Sequence, residues 1–175
     1  MTLAIRRLDP GDEAILELLA RDEPDFDVDR RATPLAPLPA AAARSYLENP
    51  AVLHWVALDG AAIVGDLVCL LLPLRAGEGQ ELLLYEIGVR SAQRRRGIGR
   101  ALLDQMEDWM QANGVGLVWV VADNQAAVEF YRARGFAAEE PEAVYLARRV
   151  GDGGSRAGGD RWRPPARDVE SPNVP

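Results

Sequence analysis

Gln93-Arg94-Arg95-Arg96-Gly97-Ile98-Gly99 follows an apolar, strand-like run at 82–89 and opens an amphipathic stretch at 100–113. Strand, glycine-bearing turn and helix, in that order, make an anion cradle. Backbone N–H groups at a helix start converge on one point, glycines let the main chain come close, and the helix dipole favours negative charge. A diphosphate suits that chemistry. A Walker A loop would carry Lys and then Ser or Thr after its second Gly, and a dinucleotide fingerprint would add a third Gly and a downstream acid. Both are absent here. Taken alone, the run also reads as a solvated Arg-rich turn whose glycines ease the chain into its helix.

The chain downstream of the cradle separates the two readings. A second strand-like run at 117–122 leads into Asn124-Gln125-Ala126-Ala127-Val128-Glu129-Phe130-Tyr131, and that helix stops at Gly135-Phe136. The two halves together resemble the GNAT superfamily of acyl-CoA N-acyltransferases, whose pyrophosphate loop reads Gln/Arg-x-x-Gly-x-Gly/Ala. Arg94, Gly97 and Gly99 fill those slots, and Tyr131 with Gly135-Phe136 matches the second signature. The resemblance implies an α/β (α+β) fold, a mixed and mostly antiparallel sheet splayed open between its fourth and fifth strands and flanked by helices. It also implies acetyl-CoA as cosubstrate, held by the cradle residues Arg94, Arg95, Arg96, Gly97, Ile98, Gly99 and Arg100, by Asn124 and Tyr131, and by the strand edge at Ile87, Gly88 and Val89, along which the pantetheine arm runs.

At 175 residues with 48% apolar content, the chain is long enough for one domain with a substantial core. Residues 1–150 are expected to form that domain, and the Gly-, Pro- and Arg-rich stretch 151–175 a flexible tail. The single cysteine, Cys69, lies in an apolar run and reads as a buried free thiol. No His/Cys/carboxylate cluster has metal-ligand spacing, so no metal is expected. With no long apolar segment at its start and none of transmembrane length, the protein is expected to be cytoplasmic. All 20 basic residues are Arg, which together with abundant Ala and Gly points to a GC-rich bacterial coding sequence. The net charge is −7, and since the last 25 residues carry four acids and four Arg, the excess belongs to the body. Such a body repels nucleic acid and anionic membrane and attracts a polycation.

Upstream, 3–8 reads as a first strand and the sequence from Pro10-Gly11-Asp12-Glu13 through Leu19 as a helix. An irregular, acid- and proline-rich stretch at 21–39 is expected next, then helical character at 40–46. Residues 52–58 and 62–72, joined by Asp59-Gly60, read as a hairpin. One more strand is expected at 143–150.

Acetyl transfer from a thioester needs a neutral amine, a stabilised oxyanion and a proton for the departing thiolate. Tyr131 stands where the resemblance puts the acid that protonates the CoA sulfur; its other reading is a packing Tyr. Glu86 interrupts Leu82-Leu83-Leu84-Tyr85-Glu86-Ile87-Gly88-Val89, and a carboxylate in such a strand needs a partner, a cavity or solvent. As a site residue it would deprotonate or anchor the incoming ammonium. His54, the only histidine, has apolar neighbours and reads as structural. Asn124 is placed to cap its helix.

The stretch from Ser45-Tyr46-Leu47 through Leu84-Tyr85-Glu86-Ile87-Gly88-Val89 is similar to the aminoglycoside 3-N-acetyltransferase family. That family reads Tyr-Asp-Leu-Ala-Val at this strand, so Glu86 replaces an Asp. It also has an insertion before the final helix that this chain lacks. The similarity implies an aminoglycoside acceptor, antibiotic resistance and a homodimer. Charge points the same way: the acidic loops that carry Asp25, Asp27, Glu81, Glu139 and Glu140 are candidates for lining a cleft that attracts ammonium groups, their other reading being solvated loops that keep the protein in solution. Polyamine or protein N-terminal acetylation would use the same core, and a non-catalytic CoA-binding regulatory domain is the alternative of a different class.

Overall fold

At the Asp59-Gly60 turn, Gly60 takes φ +62°, the left-handed geometry that a tight hairpin requires. It joins β2 (Val52–Asp59) to β3 (Ala62–Pro73). β1 (Leu3–Arg7) pairs with β2, and β4 (Gln80–Val89) with β3, all antiparallel, while β5 (Leu117–Val120) lies parallel to β4. The sheet order is β1-β2-β3-β4-β5 and the sheet is open. The computed structural model describes residues 2–27, 33–75, 79–122 and 124–138. Residues 1–121 form the unit that carries the sheet, and 122–175 belong to a second unit. The strand expected at 143–150 and the tail from 151 lie outside the described residues.

Alternation along the strands sorts the sheet into two buried faces. One face meets α1 (Glu13–Phe26) and α2 (Ala40–Glu48), where Leu8, Val56 and Ile63 pack with Ile15, Leu16, Leu19, Phe26 and Leu47. The other meets α3 (Ile98–Asn113), whose buried stripe is Ile98, Leu102, Leu103, Met106 and Met110. α3 comes close enough that a Cβ at Gly65 would lie 2.9 Å from Ile98 Cγ2, so only glycine fits there. The Cys69 thiol is buried against Met106, Sγ to Sδ 3.7 Å. Burial pushes its pKa up to about 12.

α1 corrects an expectation. The stretch after Leu19, expected to be irregular, stays helical to Phe26 with Pro24 inside it. Proline removes one N–H and frees the carbonyl four residues back. That carbonyl, Ala20 O, accepts instead from Leu35 N–H at 2.8 Å. Arg90 supplies further support to this last turn through Asp22 and Asp25.

Candidate active site

β4 and β5 pair only along Glu81↔Leu117 to Leu84↔Val120. Beyond Leu84, β4 keeps β3 as its neighbour, and among the described residues no strand pairs with its other edge. At the same point the β3–β4 register slips. Cys69 pairs with Leu84 and Val68 with Glu86, so Tyr85 is an extra residue, a β-bulge. Counted by twos from Leu82 and Leu84, both buried, Glu86 would fall on the α3 face. The bulge moves it to the opposite one.

Residues opposite one another share a face. His54, Val68 and Glu86 therefore form one row on the α1/α2 side, and Val56, Asp66 and Gly88 the next. Glu86 is half-buried. A Cβ at Gly88 would lie 2.7 Å from Asp66 Oδ1 and 3.2 Å from Phe26 Cδ1, so the end of α1 and the Asp66 carboxylate close directly over this strand. His54 is buried, in keeping with a structural imidazole. Tyr46 Oη and His54 Nδ1 are 3.1 Å apart. His54 Nε2 lies 3.5 Å from Asp66 Oδ2, too long for a good hydrogen bond.

β4 runs through a short 3-10 turn, Ser91–Gln93, into the arginine run. Arg95 takes φ +61° and Gly97 φ +81°. A left-handed non-glycine residue stores strain, which clusters at ligand sites. Gly97 caps α3 without a side chain, and no acid stands in the first turn. The first N–H groups of α3 thus meet no carboxylate of that turn, and Arg95, Arg96 and Arg100 are exposed around them. Nothing lies within 4 Å of a Cβ built at Gly97, so backbone conformation is what requires glycine there.

Arg94 takes a different part from the other arginines. Its Nε donates to Val89 O at 3.0 Å and its Nη2 to Phe26 O at 2.8 Å, so the guanidinium braces the turn from behind. Arg96 donates to Gln93. Of the acidic candidates, Asp25 pairs with Arg90 and Asp27 ends α1. Glu81 stands five residues before Glu86, about 17 Å along an extended strand. Glu139 and Glu140 lie outside the described residues. Sequence reasoning passed over Arg90, Ser91 and Asp66. The one available signal was Arg90's position between strand and cradle.

In the second unit, Asn124 caps α4 (Gln125–Arg132) by accepting from Ala127 N–H at 2.9 Å, as its position predicted. The Tyr131 ring is buried, with the Phe130 and Phe136 rings each 5.3 Å away. Gly135 turns the chain at φ +88°, and Phe136 N–H donates to Tyr131 O.

A partly paired β4–β5, a bulge and a helix start with no side-chain cap are the features that the comparisons set in a family. Residues 13–136 match the Acetyltransferase (GNAT) family. The chain belongs to that family. An aminoglycoside acetyltransferase from an uncultured soil metagenomic sample superposes with TM-score 0.72 at 27% identity, covering 86% of this chain and 100% of that one. A second from such a sample, solved in complex with trehalose and with sisomicin, gives 0.74 at 24%, covering 85% and 97%. The [ribosomal protein bS18]-alanine N-acetyltransferase of Escherichia coli is 40% identical over 58 residues, 32% of this chain. The chain spans only 39% of that relative's length. Among the described residues no helix is long and apolar enough to cross a membrane, and none group as a metal site.

Proposed function

We propose that this protein transfers the acetyl group of acetyl-CoA to a primary amine of a polycationic small molecule, an aminoglycoside in the first instance. The observation that carries this reading is the bulge at Tyr85, which sets Glu86 beside an edge of β4 that leads straight into the uncapped start of α3. The residues present fit the cosubstrate. Gly97, Ile98, Gly99 and Arg100 offer main-chain N–H groups, Arg95 and Arg96 add positive charge, and Ile87 to Val89 offer a strand edge to an amide-bearing arm. Arg94 serves this site by bracing the turn. When bound there, acetyl-CoA supplies an activated acetyl group.

The chain's own residues do the rest. An ammonium ion drawn by the net charge of −7 meets Glu86, which takes its proton directly or through one water and frees the nitrogen lone pair. Backbone N–H dipoles of β4 beyond the bulge stabilise the oxyanion. Tyr131 donates the proton that the leaving sulfur needs. Asp27 and Glu81 belong to the acidic surroundings that attract the substrate, as does Asp25 through its exposed carboxylate. Acetylation at the 3-N position, a role in antibiotic resistance and a homodimer belong to the same reading.

The local identity to the ribosomal-protein acetyltransferase favours one further acceptor, a peptide with N-terminal alanine. A thiol-release assay with acetyl-CoA against sisomicin, spermidine and an alanine-terminated peptide separates them. Turnover of sisomicin above the other two is expected. Turnover of the peptide alone keeps the enzyme and moves the substrate; turnover of none sinks the reading.

A further inference from the structure

Arg90, the first residue after β4, uses its whole guanidinium inside the protein. Nε donates to Ile63 O at 3.0 Å, Nη2 to Asp22 Oδ2 at 2.9 Å and Nη1 to Asp25, while the group lies 5.0 Å from the centre of the Phe26 ring. Arg90 holds the Asp22 carboxyl below the usual carboxylate range. Ser91 Oγ donates to Asp25 O at 2.9 Å, and Arg94 to Phe26 O. Three residues at the start of the cradle turn thus grip three at the end of α1.

Pro24 deprives that end of α1 of one internal hydrogen bond. The same turn lies against Gly88 through Phe26, on the face and strand that carry Glu86. One segment therefore touches both the amine side of β4 and the loop that leads to the helix N-terminus. An ordinary surface ion pair contributes little, whereas this grip joins two sites through three donor side chains, two carboxylates and two backbone carbonyls.

We propose that Arg90 is a positioning residue that couples the two substrates: anion binding at the cradle fixes the end of α1 through Arg90, Ser91 and Arg94, and so tightens amine binding beside Glu86. The inference rests on the proposed acetyl transfer to a cationic amine. Ordering that one ligand has already imposed need not be imposed again by the second, and linkage makes the effect mutual.

Calorimetry with CoA and with the amine that gives thiol release, sisomicin first, measures each affinity alone and in the presence of the other. In wild type each ligand is expected to tighten the other by about 5- to 20-fold, the lower part of the usual range for coupled sites. Arg90→Gln should bind CoA alone within twofold of wild type and lose the coupling. Arg90→Lys, which keeps the charge without the fork, should retain part of it. If Arg90→Gln does not fold, Asp22→Asn removes one arm of the grip and should reduce the coupling in the same way. Coupling that persists undiminished in these variants overturns the proposal, as does a wild type that binds both ligands independently. A wild type that binds no CoA overturns the proposed function itself.

Discussion

Glu86 stands opposite Val68, and Tyr85 has no residue opposite it at all. That single unpaired position brings the carboxylate to the same face as His54 and Asp66. Glu86→Gln keeps the shape and removes the charge, so kcat/KM for the amine should fall by about 10²-fold, the lower end for loss of a general base. Glu86→Asp should lie between. CoA affinity should not change. Steady-state kinetics with titration of CoA decide it, and a Gln variant as active as wild type ends both the base and the anchor roles.

The two cradle glycines make separable demands. Gly97 sits at φ +81°, so Gly97→Ala should cost about 1–2 kcal/mol of stability from backbone strain alone. Gly99 lies within α3 in helical backbone, where a side chain adds no such strain. Gly99→Val should therefore weaken CoA binding at least tenfold with a smaller change in Tm than Gly97→Ala. Calorimetry and thermal melts report the two quantities, and unchanged CoA affinity in Gly99→Val removes the close backbone approach from the account.

Tyr131 packs between Phe130 and Phe136, contacts that a phenylalanine retains. In Tyr131→Phe, kcat should drop by about 10²-fold while CoA affinity stays near wild type, because the ring is kept and the proton donor lost. A variant with full kcat would leave the residue as packing.

With its pKa pushed up to about 12 by burial, the Cys69 thiol should resist a thiol reagent at pH 8 in the folded protein and react at once in denaturant. The proton also links to folding. The folded value exceeds the unfolded one, so this contribution to stability is full below about pH 9 and is lost as pH rises from there toward 12. Cys69→Ala should flatten that limb of a urea-denaturation series, and an unaltered limb would assign the alkaline loss to other groups.

The sequence revealed the features written in consecutive residues. The Asp59-Gly60 hairpin, the strand-to-cradle-to-helix run and the Asn124 cap follow from local chemistry, and each lies close to where the pattern put it. The bulge did not announce itself, because Leu84-Tyr85-Glu86 shows no break in strand character and the slip exists only against β3. The extension of α1 past Leu19 was hidden for a related reason: Pro24 and a run of acids argue against helix locally, and a hydrogen bond from Leu35 with a grip from Arg90 overrides them. Arg94 matches the loop motif in sequence, yet its brace to Phe26 O spans 68 positions. Contacts at such separations leave no periodicity to read.

The place of Cys69 has a kinetic corollary. It is the only cysteine of the chain, and its sulfur is shut away against Met106. No acyl-cysteine can then form as a way station, so a ping-pong cycle through a thiol is closed to this protein. For the proposed acetyl transfer the remaining route is direct attack of the amine on the donor within one ternary complex, and initial-rate plots are expected to intersect and not run parallel.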